Sequence, residues 1–276
     1  MQVQRLNAKS LISYAIWAIW AGRRILAKLS VVPAVLLVTG AVLSLGALSG
    51  ETPPGSEGGA PEPPTGTALI GMLLYLLGAV AAIPTLTGWH RLVILSSPER
   101  GAGRLYGWDG REWRYLLNSF LLGLAVIGVL LVFSLAVGPL LAGLFAADEA
   151  AFSPVRLLVV LAVSVAQGVI VALITAQFGL VLPAAAIGKP IGMAAAAAMA
   201  RGHVRSMAVA LFVVSFVGGL IQMPLSWMEP FFAGAPIGLA ILLAANALLY
   251  IVVMAMSVGV LSCAYSLIDE GSAGRT

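Results

Sequence analysis

The sequence predicts an all-α polytopic membrane bundle, with six transmembrane helices and cytoplasmic interfacial helices. Three observations predict it. First, 61% of the 276 residues are hydrophobic and 9% are charged, whereas soluble domains carry about 25% charged residues. Even a large soluble domain leaves much of its surface wet, so this much apolar surface calls for lipid as its solvent. The mean hydropathy of +1.04 agrees. Second, six apolar runs each supply the roughly 20 residues that a helix needs to cross a bilayer. Third, 14 of the 15 Lys and Arg residues fall on one side of those runs. Residues 1–276 read as a single six-helix membrane domain.

The elements follow in order. Residues 10–29 are apolar, with Trp17 and Trp20, but Arg23, Arg24 and Lys28 interrupt them. Trp and Arg together suit a helix lying at the headgroup level, so an interfacial helix is expected there. Val31–Gly50 is the first span. Its alternative reading is a cleaved signal peptide with Ala47–Ser49 as the small-residue site, but thirty residues precede it, too many for a normal n-region. Residues 51–67 hold Pro53, Pro54, Pro61, Pro63 and Pro64 among several glycines. Such a Pro/Gly-rich outer loop forms neither a helix nor a packed core. Ala68–Trp89 is the second span. Trp108–Tyr115 (WDGREWRY) repeats the Trp–Arg chemistry ahead of the third, Leu116–Ala146. Val155–Ile187 is the fourth. The Ala-rich Met193–Arg205 leads into the fifth, Met207–Trp227, and Ala235–Ile268 is the sixth. The third, fourth and sixth exceed what the bilayer requires and are expected to tilt or extend beyond it.

Basic residues set the orientation. Arg5 to Lys28 precede the first span, Arg91 to Arg114 separate the second and third, Lys189 to Arg205 separate the fourth and fifth, and Arg275 follows the sixth. That side is expected to be cytoplasmic, with both termini on it, in a bacterial inner membrane. Only Arg156 falls on the other side. Despite a pI near 9.5, the basic residues flank apolar runs and form no stripe, so nucleic acid is not an expected partner. Arg23, Arg24, Arg111, Arg114, Arg201 and Arg205 are the candidate contacts for anionic headgroups. Arg23, Arg114 and Arg205 stand 91 residues apart each time, and Pro84-Gly88-Arg91 is echoed by Pro183-Gly188-Lys189. These marks suggest three units of interfacial helix plus hairpin; the alternative is chance acting with the positive-inside rule.

Trp89–Leu95 (WHRLVIL), Gly110–Leu117 (GREWRYLL) and Leu180–Val204 (LVLPAAAIGKPIGMAAAAAMARGHV) carry a resemblance. Over roughly residues 80–210 the chain resembles an uncharacterised family of alphaproteobacterial six-span membrane proteins. It departs from that family at Ala194–Ala198, where members carry charged or aromatic residues. A more distant likeness is to the membrane domain of bacterial glycerophosphodiester phosphodiesterases, without the catalytic domain. The resemblance implies the topology and no activity.

Chemistry is sparse. The central part of each span lacks Asp, Glu, Lys, Arg and His, which argues against a buried-carboxylate proton relay and against voltage sensing. One cysteine, Cys263, excludes an internal disulfide and a C-x-x-C site. His90 and His203 sit at boundaries without a second histidine at metal-ligand spacing, and no H-E-x-x-H, G-x-S-x-G or P-loop pattern occurs. No metal or cofactor is expected. Asp109 with Glu112 reads as an ion-paired surface, Gly101–Gly103 as a turn, and the inventory builds no nucleophile–base constellation; no enzyme is expected.

Among the polar residues within spans, Gln167, Gln177 and Asn246 are candidate intramembrane contacts, alongside Gln222, Ser257 and others. Ten residues rotate Gln177 about 80° away from Gln167 at 3.6 residues per turn, so the two share no narrow face. Each bonds to a neighbouring helix, for roughly 0.6 kcal/mol, or contacts a solute. Ser164, Gly168, Ala172 and Ala176 form a small-residue stripe suited to helix packing, and Gly46/Gly50 and Gly234/Gly238 add GxxxG pairs. Two functions stay open. One is an accessory, assembly or scaffold subunit that binds another integral membrane protein and anionic membrane lipids. The other is a transporter or exporter of a neutral or lipidic solute.

Overall fold

A computed structural model describes residues 6–48, 66–95, 108–146, 154–232 and 235–273. These residues form eight helices and no strand: α1 (Ala8–Leu48), α2 (Gly66–Leu95), α3 (Gly110–Ala146), α4 (Pro154–Phe178), α5 (Val181–Ala186), α6 (Met193–Ala200), α7 (Val204–Phe232) and α8 (Pro236–Ala273). Six of them, α1 to α4, α7 and α8, are long and apolar enough to cross a membrane. The protein is an all-α polytopic membrane bundle.

Local chemistry sets the helix ends. Asn7 caps α1, its Oδ1 accepting from the Lys9 amide at 2.7 Å. Asp109 caps α3: its Oδ1 accepts from the Arg111 amide at 2.7 Å while Glu112 Oε2 accepts from the Asp109 amide at 3.0 Å. This reciprocal capping box accompanies the expected surface ion pair of Asp109 with Arg111 and departs from the reading of an ion-paired surface at Glu112 alone. Glu112 is buried, because the box turns it inward. The end of α5 is a Schellman turn. Lys189 N–H reaches Ala184 O, Gly188 N–H reaches Ala185 O, and Gly188 takes φ +79°, which glycine adopts without strain.

Several segments differ from expectation. Residues 10–29 do not form a helix separate from the first span; α1 runs unbroken for 41 residues. Pro33 cannot donate to Leu29 O, four residues back, but Thr85 Oγ1 of α2 donates to that carbonyl at 2.7 Å. The Trp108–Tyr115 stretch likewise runs into α3. The fourth span ends early, at Phe178, and α5 follows after a turn at Gly179 and Leu180. Of the three segments expected at the interface, only the last holds a separate short helix, Met193–Ala200. The three proposed repeat units are therefore built differently, with Pro84 inside continuous α2 and Pro183 in detached α5. Most of residues 51–67, together with Gly50, Gly101–Gly103 and Gly234, lies outside the described residues.

α1, α2 and α8 pack side by side, α7 lies against α8, and α4 lies along α7. The closest approach is α1 on α2: a Cβ on Gly40 would sit 2.6 Å from the Tyr75 backbone nitrogen, and one on Gly71 2.6 Å from that of Ser44. Burial is concentrated at the end where α1, α3 and α7 begin and α2 and α8 finish, here called the basic end. Leu11, Ala15, Leu180, Val181, Met207, Val260 and Ala264 are buried there in one cluster. Toward the opposite end α1 and α2 stay in close contact, but the far half of α3 carries Val132, Leu135 and Leu140 more than two-thirds exposed.

Candidate functional site

Two polar arrangements interrupt the apolar bundle. The first is a sealed knot at the basic end. His90, on α2, is fully buried. Its Nδ1 lies 2.7 Å from Ser262 Oγ of α8 and its Nε2 3.2 Å from Tyr115 OH of α3. One ring nitrogen donates and the other accepts, so both hydroxyls are met whichever tautomer is present. One turn before, Thr87 Oγ1 donates to Pro84 O at 3.1 Å and lies 3.4 Å from Glu112 Oε1. Trp89 Nε1 donates to Ala255 O of α8 at 3.0 Å. Three helices meet here through buried hydrogen bonds.

This knot corrects the sequence reading twice. His90 is not an interfacial side chain, and the inventory does hold a serine hydroxyl at hydrogen-bond distance from a histidine. The two residues are 172 positions apart and lie in no motif, so only the packing of α8 on α2 brings them together. Ser262, His90 and Tyr115 are at most 1% exposed. In this conformation the group joins helices, and no substrate reaches Ser262.

The second arrangement is a cavity of about 220 Å³ between α1, α2, α7 and α8, lined by Leu37, Val38, Ala41, Tyr75, Gln222, Leu243, Asn246, Ala247 and Tyr250. Tyr75 and Asn246 lie nine and ten residues from the starts of α2 and α8, about 14–15 Å along each helix at ~1.5 Å per residue. Asn246 Oδ1 is buried there without a hydrogen-bond partner. A narrower cleft of about 40 Å³ adjoins it, lined by Leu26, Ser30, Pro33, Thr85, Trp89, Met254 and others, and shares Leu37 and Tyr250 with the larger cavity.

The remaining candidates are scattered. Arg23, Arg24, Arg114, Arg201 and Arg205 are exposed. Arg23 lies over the Trp20 ring at 4.6 Å. Arg111 is half-buried and paired with Asp109 at 2.6 Å. Its hydrogen bonds to Asp109, with further ones from Glu112 and the Arg111 amide, hold that carboxyl well below the usual carboxylate range. Of the small-residue stripe, Ala172 and Ala176 are buried, a Cβ on Gly168 would meet the Phe212 ring of α7 at 3.1 Å, and Ser164 is exposed. Ser164 and Gly168 line a groove of about 350 Å³ against α7. Gln167 is half-buried and Gln177 exposed; neither lines the cavity that holds Asn246. The sequence placed Gln222 among many polar residues; its position beside Asn246 depends on how α7 meets α8.

Compared with protein-family models, with curated proteins and with solved structures, the chain matches none.

Proposed function

We propose that this integral membrane protein is an accessory or assembly subunit of the bacterial inner membrane, with its basic end and both termini in the cytoplasm. The uneven packing supports this reading. At the basic end a dense core and buried hydrogen bonds fix the helices, whereas the far half of α3 has little of the protein beside it. Cβ atoms added at Gly123, Gly128, Gly138 or Gly143 would meet nothing within 4 Å. Without a hydrophobic force between helices in lipid, small residues that permit close approach are what a partner helix uses. Arg23, Arg24, Arg114, Arg201 and Arg205 then contact anionic headgroups, at about 1 kcal/mol each near the surface. The long helices fit this placement. α1, α3 and α8 have 41, 37 and 38 residues, or about 55–60 Å at ~1.5 Å per residue, against a hydrocarbon layer of ~30 Å.

Native mass spectrometry after extraction into lipid nanodiscs tests the assembly reading. A stoichiometric integral membrane partner, lost on Gly128→Trp, is the expected result; a bare monomer from every preparation overturns it. Protease mapping of the segment between α2 and α3 tests orientation, and cleavage from the outside refutes it.

A second reading, a carrier of a neutral or lipidic solute, draws support from the cavity around Asn246. Polar groups at membrane depth must face protein or water, and the Asn246 residue belongs to the wall of this space.

A further inference from the structure

Where α4 meets the start of α7, an apolar groove carries one cation. A space of about 380 Å³ lies there, walled by Val169, Ala172 and Leu173 of α4 and by Ala208, Val209 and Phe212 of α7, with Arg205 as the one charged residue in its wall. Arg205 is the second residue of α7, at the basic end. Phe212 lies two turns further along, or ~10 Å at ~1.5 Å per residue. The space thus runs inward from the helix end to a depth comparable with the hydrocarbon half of one leaflet, ~15 Å. It opens sideways to the bilayer, because Val169, Leu173 and Val209 are 40%, 43% and 46% exposed.

Shape and charge narrow the occupant. Spread over ~10 Å, a volume of about 380 Å³ has a mean cross-section of about 35 Å², against ~80–110 Å² for a helix ~10–12 Å wide. A partner helix would bridge this groove, whereas a single hydrocarbon chain enters it. In lipid the apolar wall supplies no hydrophobic force, so it decides where a chain lies and the charge decides which lipid stays. Arg205 is exposed and takes part in no ion pair among the described residues. Its planar guanidinium presents a fork of donors that matches phosphate oxygens. A zwitterionic lipid would bring an ammonium group to the same place, and no Asp or Glu lines the space to receive it.

The geometry points to a site for one anionic glycerophospholipid of the leaflet at the basic end, its phosphate on Arg205 and one acyl chain in the groove between α4 and α7. The site rests on the reading that the basic end meets anionic headgroups, and it goes further. On that reading Arg205 is one of five similar surface contacts; here it holds a single lipid in a fixed place.

The full-length protein, delipidated in detergent, is titrated with dioleoylphosphatidylglycerol or dioleoylphosphatidylethanolamine, and bound lipid is counted by native mass spectrometry. One phosphatidylglycerol per chain is expected to bind ahead of all others, and phosphatidylethanolamine more weakly. Arg205→Gln should weaken that first binding about fivefold, the equivalent of ~1 kcal/mol for one arginine near the surface. Val209→Trp keeps the charge but fills the groove, and should weaken it by a similar factor. Val35→Trp, on an exposed part of α1 away from the groove, should leave it unchanged. Glycerophosphoglycerol, which has the head and no chains, should fail to compete. Should a variant fail to fold, the two lipids and the chainless competitor decide on the unaltered protein. Equal first binding of the two phospholipids overturns the site and the headgroup reading together. A preference for phosphatidylglycerol that survives Arg205→Gln or Val209→Trp undiminished, or full competition by the chainless head, overturns the site and leaves the headgroup reading standing.

Discussion

Ser262→Ala is the most direct probe of the knot at the basic end. It deletes one oxygen and leaves His90 Nδ1 fully buried without its 2.7 Å partner. An abandoned buried polar group destabilises by about 1–3 kcal/mol. At roughly 2–4 °C per kcal/mol for a chain of this size, the unfolding midpoint should fall by about 2–12 °C. Tyr115→Phe removes a longer bond, 3.2 Å, and should have a smaller effect, about 0.5–1.5 kcal/mol. The assay is built into the chain. Cys263 is its one cysteine and packs partly buried against the core, so a fluorogenic maleimide reports unfolding in detergent. Repeating Ser262→Ala in a His90→Phe background isolates the pair, because residues that share a bond couple by about 0.5–3 kcal/mol. A midpoint shift below about 1 °C, or the same shift in both backgrounds, would refute the claim that this bond holds α2 to α8.

Other expectations follow from the geometry. Thr85→Val strands Leu29 O and should lower stability by about 1 kcal/mol; adding Pro33→Ala restores a backbone donor, so the double variant should melt above Thr85→Val alone. Gly71→Leu forces a side chain into the Ser44 backbone and should abolish a monodisperse gel-filtration peak, whereas Gly123→Ala, with open space around it, should leave that peak unchanged. Asp109→Ala removes the cap of α3, for about 0.5–2 kcal/mol. Because the Asp109 carboxyl is held below its ordinary pKa, its stabilisation is complete above an unfolded pKa of ~3.9 and fades as pH falls further. The melting difference between wild type and Asp109→Ala should therefore stay constant from pH 7 to about pH 5 and shrink below about pH 4.

The membrane class and the six long apolar helices were legible because lipid imposes a length and a composition on anything that crosses it. Boundaries were less so. Arg23, Arg24 and Lys28 suggested a break that α1 does not make, since a helix gains its backbone bonds whether or not charges decorate one side. The fourth span ends at Phe178 although its apolar run continues to Ile187, because Gly179 and Pro183 act on the backbone and leave hydropathy untouched. The polar sites were least visible. His90 and Ser262, or Gln222 and Asn246, stand on different helices, and their meeting depends on rotation about each axis, which a nearly uniform apolar surface does not reveal. Likewise the close contact of α1 with α2 uses Gly40 of α1 with Gly71 and Gly78 of α2, and the seven-residue interval between the last two does not say which helix they face.

The knot also has a consequence for biogenesis. Ribosomes deliver α2 long before α8, so His90 and Trp89 enter the bilayer with two of their hydrogen-bonding partners, Ser262 and the Ala255 carbonyl, still unmade. The α1–α2 hairpin has contacts that need no later helix, but the junction around His90 is complete only once the last helix arrives. A chain truncated ahead of Ala255 would leave His90 Nδ1 and Trp89 Nε1 without these two partners.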